Sequence, residues 1–198
     1  MADKKGKFSL KENYKDCFSY LKSSKNFIFA VIFIFAFFTL VGLFVPLPNS
    51  VSSWILNYIQ QIVKQTENLS GWQLMLFIFF NNIKSSLFGL VLGIILGVIP
   101  AFLAFFNGYI LGFVLNKSIN ADGIFVIWKL LPHGIFELPA VFISLGLGLQ
   151  IGTGFLFGKK KKNLKKNFIK SLKVFLLIVI PLLLIAAIIE GALIILVS

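Results

Sequence analysis

Long apolar runs separated by short polar segments make up most of the chain. The first run, residues 27–45, contains no charged side chain and would cover about 28 Å as an α-helix. This length is close to the thickness of the hydrocarbon core of a bilayer, about 30 Å. Four similar runs follow, interrupted by prolines, glycines and a few polar residues. The pattern therefore predicts an all-α bundle with five membrane-spanning helices, at about residues 27–45, 73–99, 101–116, 133–157 and 174–197.

The N-terminal segment has the pattern of an amphipathic helix. In residues 9–25, apolar side chains recur every three or four positions, and lysines occupy the opposite face. Ser9 and Glu12 form a capping-box pattern, which is typical of a helix start. We expect this helix to lie on the cytoplasmic surface of the membrane. The chain is accordingly predicted to comprise a cytoplasmic interfacial segment, 1–25, and one transmembrane helical domain, 26–198.

Residues 49–71 predict a second amphipathic helix. Apolar residues, among them Val51, Trp54 and Tyr58, recur at intervals of three and four, with Asn, Gln and Lys between them. Trp and Tyr are enriched where a membrane meets water. We therefore expect this helix at the outer interface, where it is the only substantial extracytoplasmic element.

The stretch 72–116 combines a polar patch with glycines at regular spacing. Pro100 most simply separates two helices, although residues 73–99 could equally be a half-helix followed by a short span. Small residues at spacing four let two membrane helices approach closely. We interpret the glycines in and after this stretch as helix-packing positions: Gly89, Gly93, Gly97, Gly112, Gly146, Gly148 and Gly152.

Composition and charge narrow the class of protein. The chain of 198 residues is 58% hydrophobic and 13% charged, whereas soluble domains carry about 25% charged residues. All 19 basic residues are lysines. The lack of arginine argues against a nucleic-acid reader, because the guanidinium fork is favoured for base and phosphate contacts. The lipid bilayer is the partner that the composition favours.

The lysines predict the orientation of the chain. Seven lie at positions 4–25 and eight at 159–173, and such clusters beside apolar runs mark cytoplasmic segments. An even number of spans must then separate the clusters. Four spans between them and a fifth after the second cluster satisfy this condition. We expect a multi-pass protein of the cell membrane with a cytoplasmic N-terminus and an extracytoplasmic C-terminus.

Polar side chains inside the predicted spans are the candidate functional residues, because such groups are costly in lipid. They are Asn82, Lys84, Asn107, His133, Glu137 and Glu190, accompanied by the motif residues Gly108, Pro132, Gly134 and Pro139. His133 and Glu137 are four positions apart and share one face of a helix. In one interpretation they satisfy each other and fix a helix broken between two prolines. In the other, they and Glu190 surround a proton, metal or substrate site.

No catalytic or cofactor motif accompanies these residues. The chain has one histidine and one cysteine, Cys17, which is too few for a zinc site of histidines and cysteines. It contains neither the HExxH motif of zinc proteases nor a GxSxG nucleophile motif. We therefore expect a protein that is not an enzyme and that holds no metal or other cofactor.

Several of these residues resemble a known family. The polar pair Asn81-Asn82 precedes the Gly-rich span that ends at Pro100, and Asn107-Gly108 with Gly112 follows. The block LPHGIFELPA, residues 131–140, leads into a glycine-rich helix that continues to Gly154. In these features the chain resembles the stage II sporulation protein M family of integral membrane proteins. The block 131–140 is the most specific of them.

The resemblance implies a role in recruiting other proteins. In endospore-forming bacteria, members of that family hold peptidoglycan-degrading partners at the septal membrane during engulfment. The leading hypothesis is thus a membrane scaffold or anchor, with partner proteins that include cell-envelope remodelling factors, and a homo-oligomer is compatible with it. The rival is a small transporter or channel with a midplane polar site around His133 and Glu137, because transporters build their sites from broken helices.

Overall fold

The chain folds into seven α-helices in the part that the structure describes. The computed structural model describes residues 9–45, 47–157 and 161–197, with side chains except at residues 126, 128–133, 161, 162 and 193–197. The helices are α1 (Leu10–Phe44), α2 (Asn49–Thr66), α3 (Gly71–Val91), α4 (Val98–Asp122), α5 (Ile127–Leu156), α6 (Lys161–Val174) and α7 (Ile180–Val197). These residues include no strand. The predicted all-α class is confirmed.

Five helical segments are long and apolar enough to cross a membrane. They are Leu10–Phe44, Gly71–Ile94, Val98–Asp122, Gly134–Leu156 and Asn163–Ala192. The predicted number of helices that could span a membrane, five, is confirmed. The ends of several helices differ from the prediction, and each difference has a local physical reason.

The first difference is that α1 is one uninterrupted helix of 35 residues. The sequence predicts two elements, an interfacial helix at 9–25 and a span at 27–45, but the structure has no break between them. No proline or glycine occurs in α1 before Gly42, so nothing in its first 32 residues opposes helix propagation. The predicted helix start is confirmed, since the Ser9 side chain accepts a hydrogen bond from the Glu12 backbone N–H, although the reciprocal bond of a full capping box is not found among the described residues. The location of residues 9–25 at the membrane surface stays a prediction.

The break between α3 and α4 lies before Pro100 and not at it. Leu92–Ile94 form a short 3₁₀ turn, and α4 begins at Val98. Pro100 therefore sits in the first turn of α4, where its missing N–H deprives the helix of no hydrogen bond. At its other end α4 continues to Asp122 and stops at Gly123. The polar residues at 117–131 predict a loop between two spans, and this prediction is wrong, because no proline or glycine lies between Lys117 and Gly123 to end α4 earlier.

The prediction of a helix broken near Pro132 and Pro139 is also wrong. Helix α5 runs without interruption from Ile127 to Leu156. Membrane helices tolerate proline, because neighbouring groups and small local adjustments satisfy the freed carbonyl. Pro181 is accommodated differently. It follows a π-helical stretch, Phe175–Val179, that joins α6 to α7, and such a stretch is a common device for altering the helical hydrogen-bond ladder.

The directions of the helices follow from their contacts. Going along α1 and α4, Phe35 lies beside Gly108 and Thr39 beside Gly112, so these two helices are parallel. Helices α3 and α5 are also parallel, with Gly93 beside Gly148 and Gly97 beside Gly152. Helix α1 is antiparallel to α5, because Ser24 meets Gln150 and Phe35 meets Phe142. This alternation is the one that five consecutive spans require.

Two clusters of buried side chains hold the bundle together. The larger one joins α1, α3, α5 and the α6–α7 rod, and its fully buried members include Leu90, Leu147, Val174, Val179 and Leu183. The smaller one joins α1, α4 and α5 through Val31, Ala104 and Leu145. Helix α2 contributes only Ile55 to the buried residues. It therefore lies at the margin of the bundle.

Candidate functional site

Glycines bring the backbones of α3 and α5 into direct contact. A Cβ on Gly93 would overlap the carbonyl of Gly148, and a Cβ on Gly152 would overlap the backbone nitrogen of Gly97. Gly89 faces the Leu145 side chain. These positions are among those that the spacing of small residues predicts as packing sites. The close approach fixes α3 and α5 side by side at the end where α5 terminates.

A second glycine contact joins α1 and α4. A Cβ on Gly108 would overlap the carbonyl of Phe35, and one on Gly112 would overlap the carbonyl of Thr39. On the α1 side of the same contact, Gly42 lies against the backbone of Tyr109 in α4. Gly146 of α5 lies against the backbone of Ile28 in α1. Small residues thus occur on both sides of the α1–α4 contact, although the sequence prediction names only the α4 side.

The turn between α3 and α4 contains two consecutive left-handed residues. Gly97 has φ +72° and precedes the first residue of α4, and Leu96 has φ +53°. The left-handed conformation costs a non-glycine residue about 1–2 kcal/mol. The Gly97 N–H donates to the Gly93 carbonyl at 2.9 Å. The turn is therefore held in a strained geometry against Gly152 of α5.

The predicted polar residues are spread over four helices, α3, α4, α5 and α7. Asn82 is half-buried and Lys84 exposed on α3, while Asn107 is half-buried on α4. Glu190 is half-buried on α7, where the next residue, Gly191, packs against Met75 of α3. Among the described residues, Glu190 takes part in no hydrogen bond or ion pair.

The block that carries the family resemblance lies in the first half of α5. Glu137 is half-buried and has an interacting partner. Gly134 has open space around it, with the Leu138 side chain as its nearest neighbour at 3.7 Å, and Pro139 is exposed. The side chains of Pro132 and His133 lie outside the described residues, so the predicted pairing of His133 with Glu137 stays a prediction. So does a common site of this pair with Glu190.

A buried polar contact that the sequence analysis missed joins α1 to α5. The Ser24 hydroxyl donates to Oε1 of Gln150 at 2.7 Å, and both side chains are buried. A second buried hydrogen bond joins α5 to α3, where the Ser144 hydroxyl donates to the Ser86 carbonyl at 2.6 Å. Serine and glutamine carry no charge, so their presence in an apolar run does not by itself indicate an interhelical contact. Only their burial next to one another marks them as interhelical contacts.

The two lysine-rich segments meet at one end of the bundle. We call residues 10–25 of α1 together with α6 the lysine end. Tyr20 shares a 3.2 Å hydrogen bond with Ser171 and donates another to the Asn167 carbonyl. Lys170 lies over the Tyr20 ring, 5.5 Å from its centroid, and Lys173 pairs with Asp16 at 3.2 Å. Because the same end of the bundle holds both segments, an even number of spans separates them.

The opposite end carries α2 and a polar cavity. The cavity has a volume of about 310 Å³ and lies where α1 ends and α2 begins. Asn116 of α4 donates to the Leu43 carbonyl there at 2.9 Å, and Lys117 lies 5.6 Å from the centroid of the Phe113 ring. On α2, Trp54 and Tyr58 stack on each other with 6.2 Å between ring centroids. Trp54 also meets Phe106 of α4.

No metal-binding group is found in the described part of the chain. No set of three or more His, Cys, Asp or Glu side chains comes together among those residues. The arrangement instead consists of tightly packed spans, a basic end and an opposite end with an exposed amphipathic helix.

Comparison with known proteins identifies one family. The family model of stage II sporulation protein M matches residues 29–193, which include α2 to α6, the C-terminal part of α1 and most of α7. No curated protein and no solved structure matches the chain.

Proposed function

The chain belongs to the stage II sporulation protein M family, and from this premise we propose that it is a membrane scaffold that recruits partner proteins. The match covers most of the chain, so the membership applies to the whole bundle and not to one helix. Five apolar helices long enough to cross a membrane support a multi-pass membrane protein. The scaffold role and the partners go beyond the match and are argued from exposed surfaces.

The observation that carries the proposal is the exposure of α2. This helix has 18 residues, of which only Ile55 is buried. Trp54 is 57% exposed, and Tyr58 and Val63 are also exposed. Trp and Tyr provide a large share of the binding energy in many protein interfaces. An amphipathic helix that the bundle leaves uncovered is suited to hold a partner at the membrane surface.

Cell-envelope remodelling proteins are the partner class that we propose, following the family resemblance. With the orientation predicted from the lysines, α2 lies on the extracytoplasmic side, where such proteins act. The rival role in transport was favoured by the prediction of a broken helix, but α5 is continuous through Pro132 and Pro139. Helices broken in the membrane are what would have favoured a transport site there.

The test is co-purification with a matched pair of α2 variants. The tagged full-length protein is extracted in mild detergent from its own cells, and bound proteins are quantified by mass spectrometry. One variant carries Trp54→Ala with Tyr58→Ala, and the control carries Asn57→Ala with Gln61→Ala, two exposed polar residues of the same helix.

We expect the aromatic variant to lose specific partners at least about tenfold, since removing such contacts commonly costs more than about 1 kcal/mol each. The control should retain them. Recovery of a monomer with no reproducible partner would contradict the scaffold role. Equal partner recovery in both variants would remove α2 as the docking element.

A further inference from the structure

One exposed face of α3 differs from the other lipid-facing surfaces of the bundle. Gln73, Phe77, Phe80 and Lys84 follow one another at intervals of four, three and four, which is the seven-residue repeat of a helix–helix seam. These four residues and Asn81 line a groove of about 420 Å³. Phe80 is 53% exposed. We call this face the α3 seam.

Lys84 is placed deep within the span. Counting 1.5 Å per residue, it lies about 20 Å from the first residue of α3 and about 10 Å from the last. Its side chain is exposed. Among the described residues, no carboxylate pairs with it, and the one salt bridge found there is Lys173 with Asp16. Charged residues in membrane spans almost always face protein or water instead of acyl chains.

A comparison with α1 shows what a lipid-facing surface of this protein looks like. The exposed positions within the predicted span 27–45 are Phe29, Phe33, Ala36, Phe37, Leu40, Phe44 and Val45, all of them apolar. On α3, by contrast, Asn81, Lys84 and Ser85 are exposed together. The α3 seam therefore has the composition of a surface that another polypeptide covers.

We infer that the α3 seam receives a transmembrane helix of a recruited partner, which presents a carboxylate at the depth of Lys84. An Asp or Glu at that depth would pair with the lysine, and the repeat of Phe77 and Phe80 would pack against the same helix. The inference rests on the proposed scaffold function, because the helix belongs to a partner. It adds the surface and the chemistry by which that partner is recognised.

Charge and depth favour a partner over a second copy of this chain. Among the described spans, the acidic residues that lie outside the lysine end and the last residue of α4 are Glu137 and Glu190. Glu137 already has an interaction within its own chain. Glu190 is level with Met75 through its neighbour Gly191, which is nine residues, or about 13 Å, from the depth of Lys84. An anionic lipid headgroup lies at the membrane surface, farther from Lys84 than a buried carboxylate would be.

The test uses synthetic transmembrane peptides in place of the unidentified partner. The peptides are Leu-rich, about 23 residues long, and differ only at the centre, which is Glu, Gln or Leu. Each carries a donor fluorophore and is reconstituted in phosphatidylcholine vesicles with the full-length protein, labelled with an acceptor at a cysteine introduced at exposed Asn57. Energy transfer measures the association of each peptide with four proteins: the wild type, Lys84→Met, Lys84→Arg and Lys117→Met. The last is the control, because it alters an exposed lysine near the end of α4.

We expect the Glu peptide to bind wild-type protein at least about threefold more tightly than the Leu peptide, as for polar contacts between membrane helices. Lys84→Met should abolish this preference, while Lys84→Arg and Lys117→Met should keep it. Lys84→Glu should instead prefer a fourth peptide, which carries Lys at its centre, over the Glu peptide. Helix content and monodispersity in detergent verify that each variant folds.

Three results would overturn the inference. The first is equal binding of all peptides, and the second is a Glu preference that survives Lys84→Met. The third is Lys84-dependent energy transfer between two differently labelled copies of the protein without peptide, which would assign the seam to a second copy. The α2 co-purification is independent of these measurements. A failed peptide experiment with retained partners would therefore reject the α3 seam and leave the scaffold proposal standing.

Discussion

The Ser24 hydroxyl and the Gln150 side chain, 126 positions apart in sequence, meet through a 2.7 Å hydrogen bond in the interior of the bundle. The same hydroxyl lies 2.8 Å from the carbonyl oxygen of Tyr20, one turn earlier on α1, so its single proton is shared between two acceptors. The contact ties α1 to α5 beside the lysine end. It thus joins the N-terminal helix to the segment that leads into the second lysine cluster.

Removing one member of this pair should destabilise the protein more than removing both. Ser24→Ala leaves Oε1 of Gln150 buried without its donor, which costs about 1–3 kcal/mol. Combining Ser24→Ala with Gln150→Leu replaces both polar groups by apolar ones and should recover a large part of that loss. Unfolding in detergent, followed by circular dichroism, measures the free energies.

The matched control for this pair is Ser19→Ala, because Ser19 is an exposed serine of the same helix. It should leave the free energy of unfolding within about 0.5 kcal/mol of the wild-type value. A double variant that is destabilised by the sum of the two single changes would show that the two side chains do not interact.

Glycines of α5 should differ sharply in their tolerance of a methyl group. Gly152→Ala introduces a Cβ that would overlap the backbone of Gly97 and Gly93, and overpacking of this kind costs about 1–3 kcal/mol. Gly134→Ala meets only the Leu138 side chain at 3.7 Å and gains up to about 1 kcal/mol of helix propensity. Thermal unfolding in detergent should place Gly152→Ala below the wild type and Gly134→Ala at or above it. The opposite order would contradict the close α3–α5 contact.

The strained turn between α3 and α4 predicts an unusual benefit of glycine. Leu96 has φ +53°, so Leu96→Gly removes about 1–2 kcal/mol of backbone strain. Part of this gain is lost, because glycine makes the unfolded chain more flexible and so raises the entropy cost of folding. Ile95 is a suitable control, because it is also exposed and has φ −77°. We expect Leu96→Gly to be more stable than Ile95→Gly by about 1–2 kcal/mol in chemical unfolding. Equal stability of the two variants would argue against a left-handed Leu96.

Much of the fold could be predicted from the sequence, because a span needs a minimum length of apolar residues and the chain has five such runs. The start of α1 could also be predicted, since a serine followed three residues later by a glutamate is a local capping signal. The helix ends near prolines could not. A proline in a membrane helix breaks it in one setting and is tolerated in another, so Pro132 and Pro139 gave the wrong expectation for α5.

The polar contacts were harder to predict than the spans. Ser24 and Gln150 meet only because α1 and α5 pack in antiparallel directions, and no local pattern encodes a contact between residues 126 positions apart. Strongly polar and charged residues stand out in an apolar sequence instead, and one of these, Lys84, is exposed on α3. Its significance depends on which face of α3 the bundle covers. The covered face is a property of the tertiary structure, which the pattern of α3 alone does not reveal.

The central claim is that five spans place both lysine-rich segments on one side of the membrane and α2 on the other. Single cysteines at three exposed positions test it: Ser19→Cys on α1, Asn163→Cys on α6 and Asn57→Cys on α2. The native Cys17 is buried, and the unmodified protein measures its background labelling. A membrane-impermeant maleimide is applied to right-side-out and inside-out vesicles. We expect Ser19→Cys and Asn163→Cys to react in vesicles of the same orientation, and Asn57→Cys to react in vesicles of the opposite orientation. Labelling of Ser19→Cys and Asn163→Cys from opposite sides would contradict the central claim.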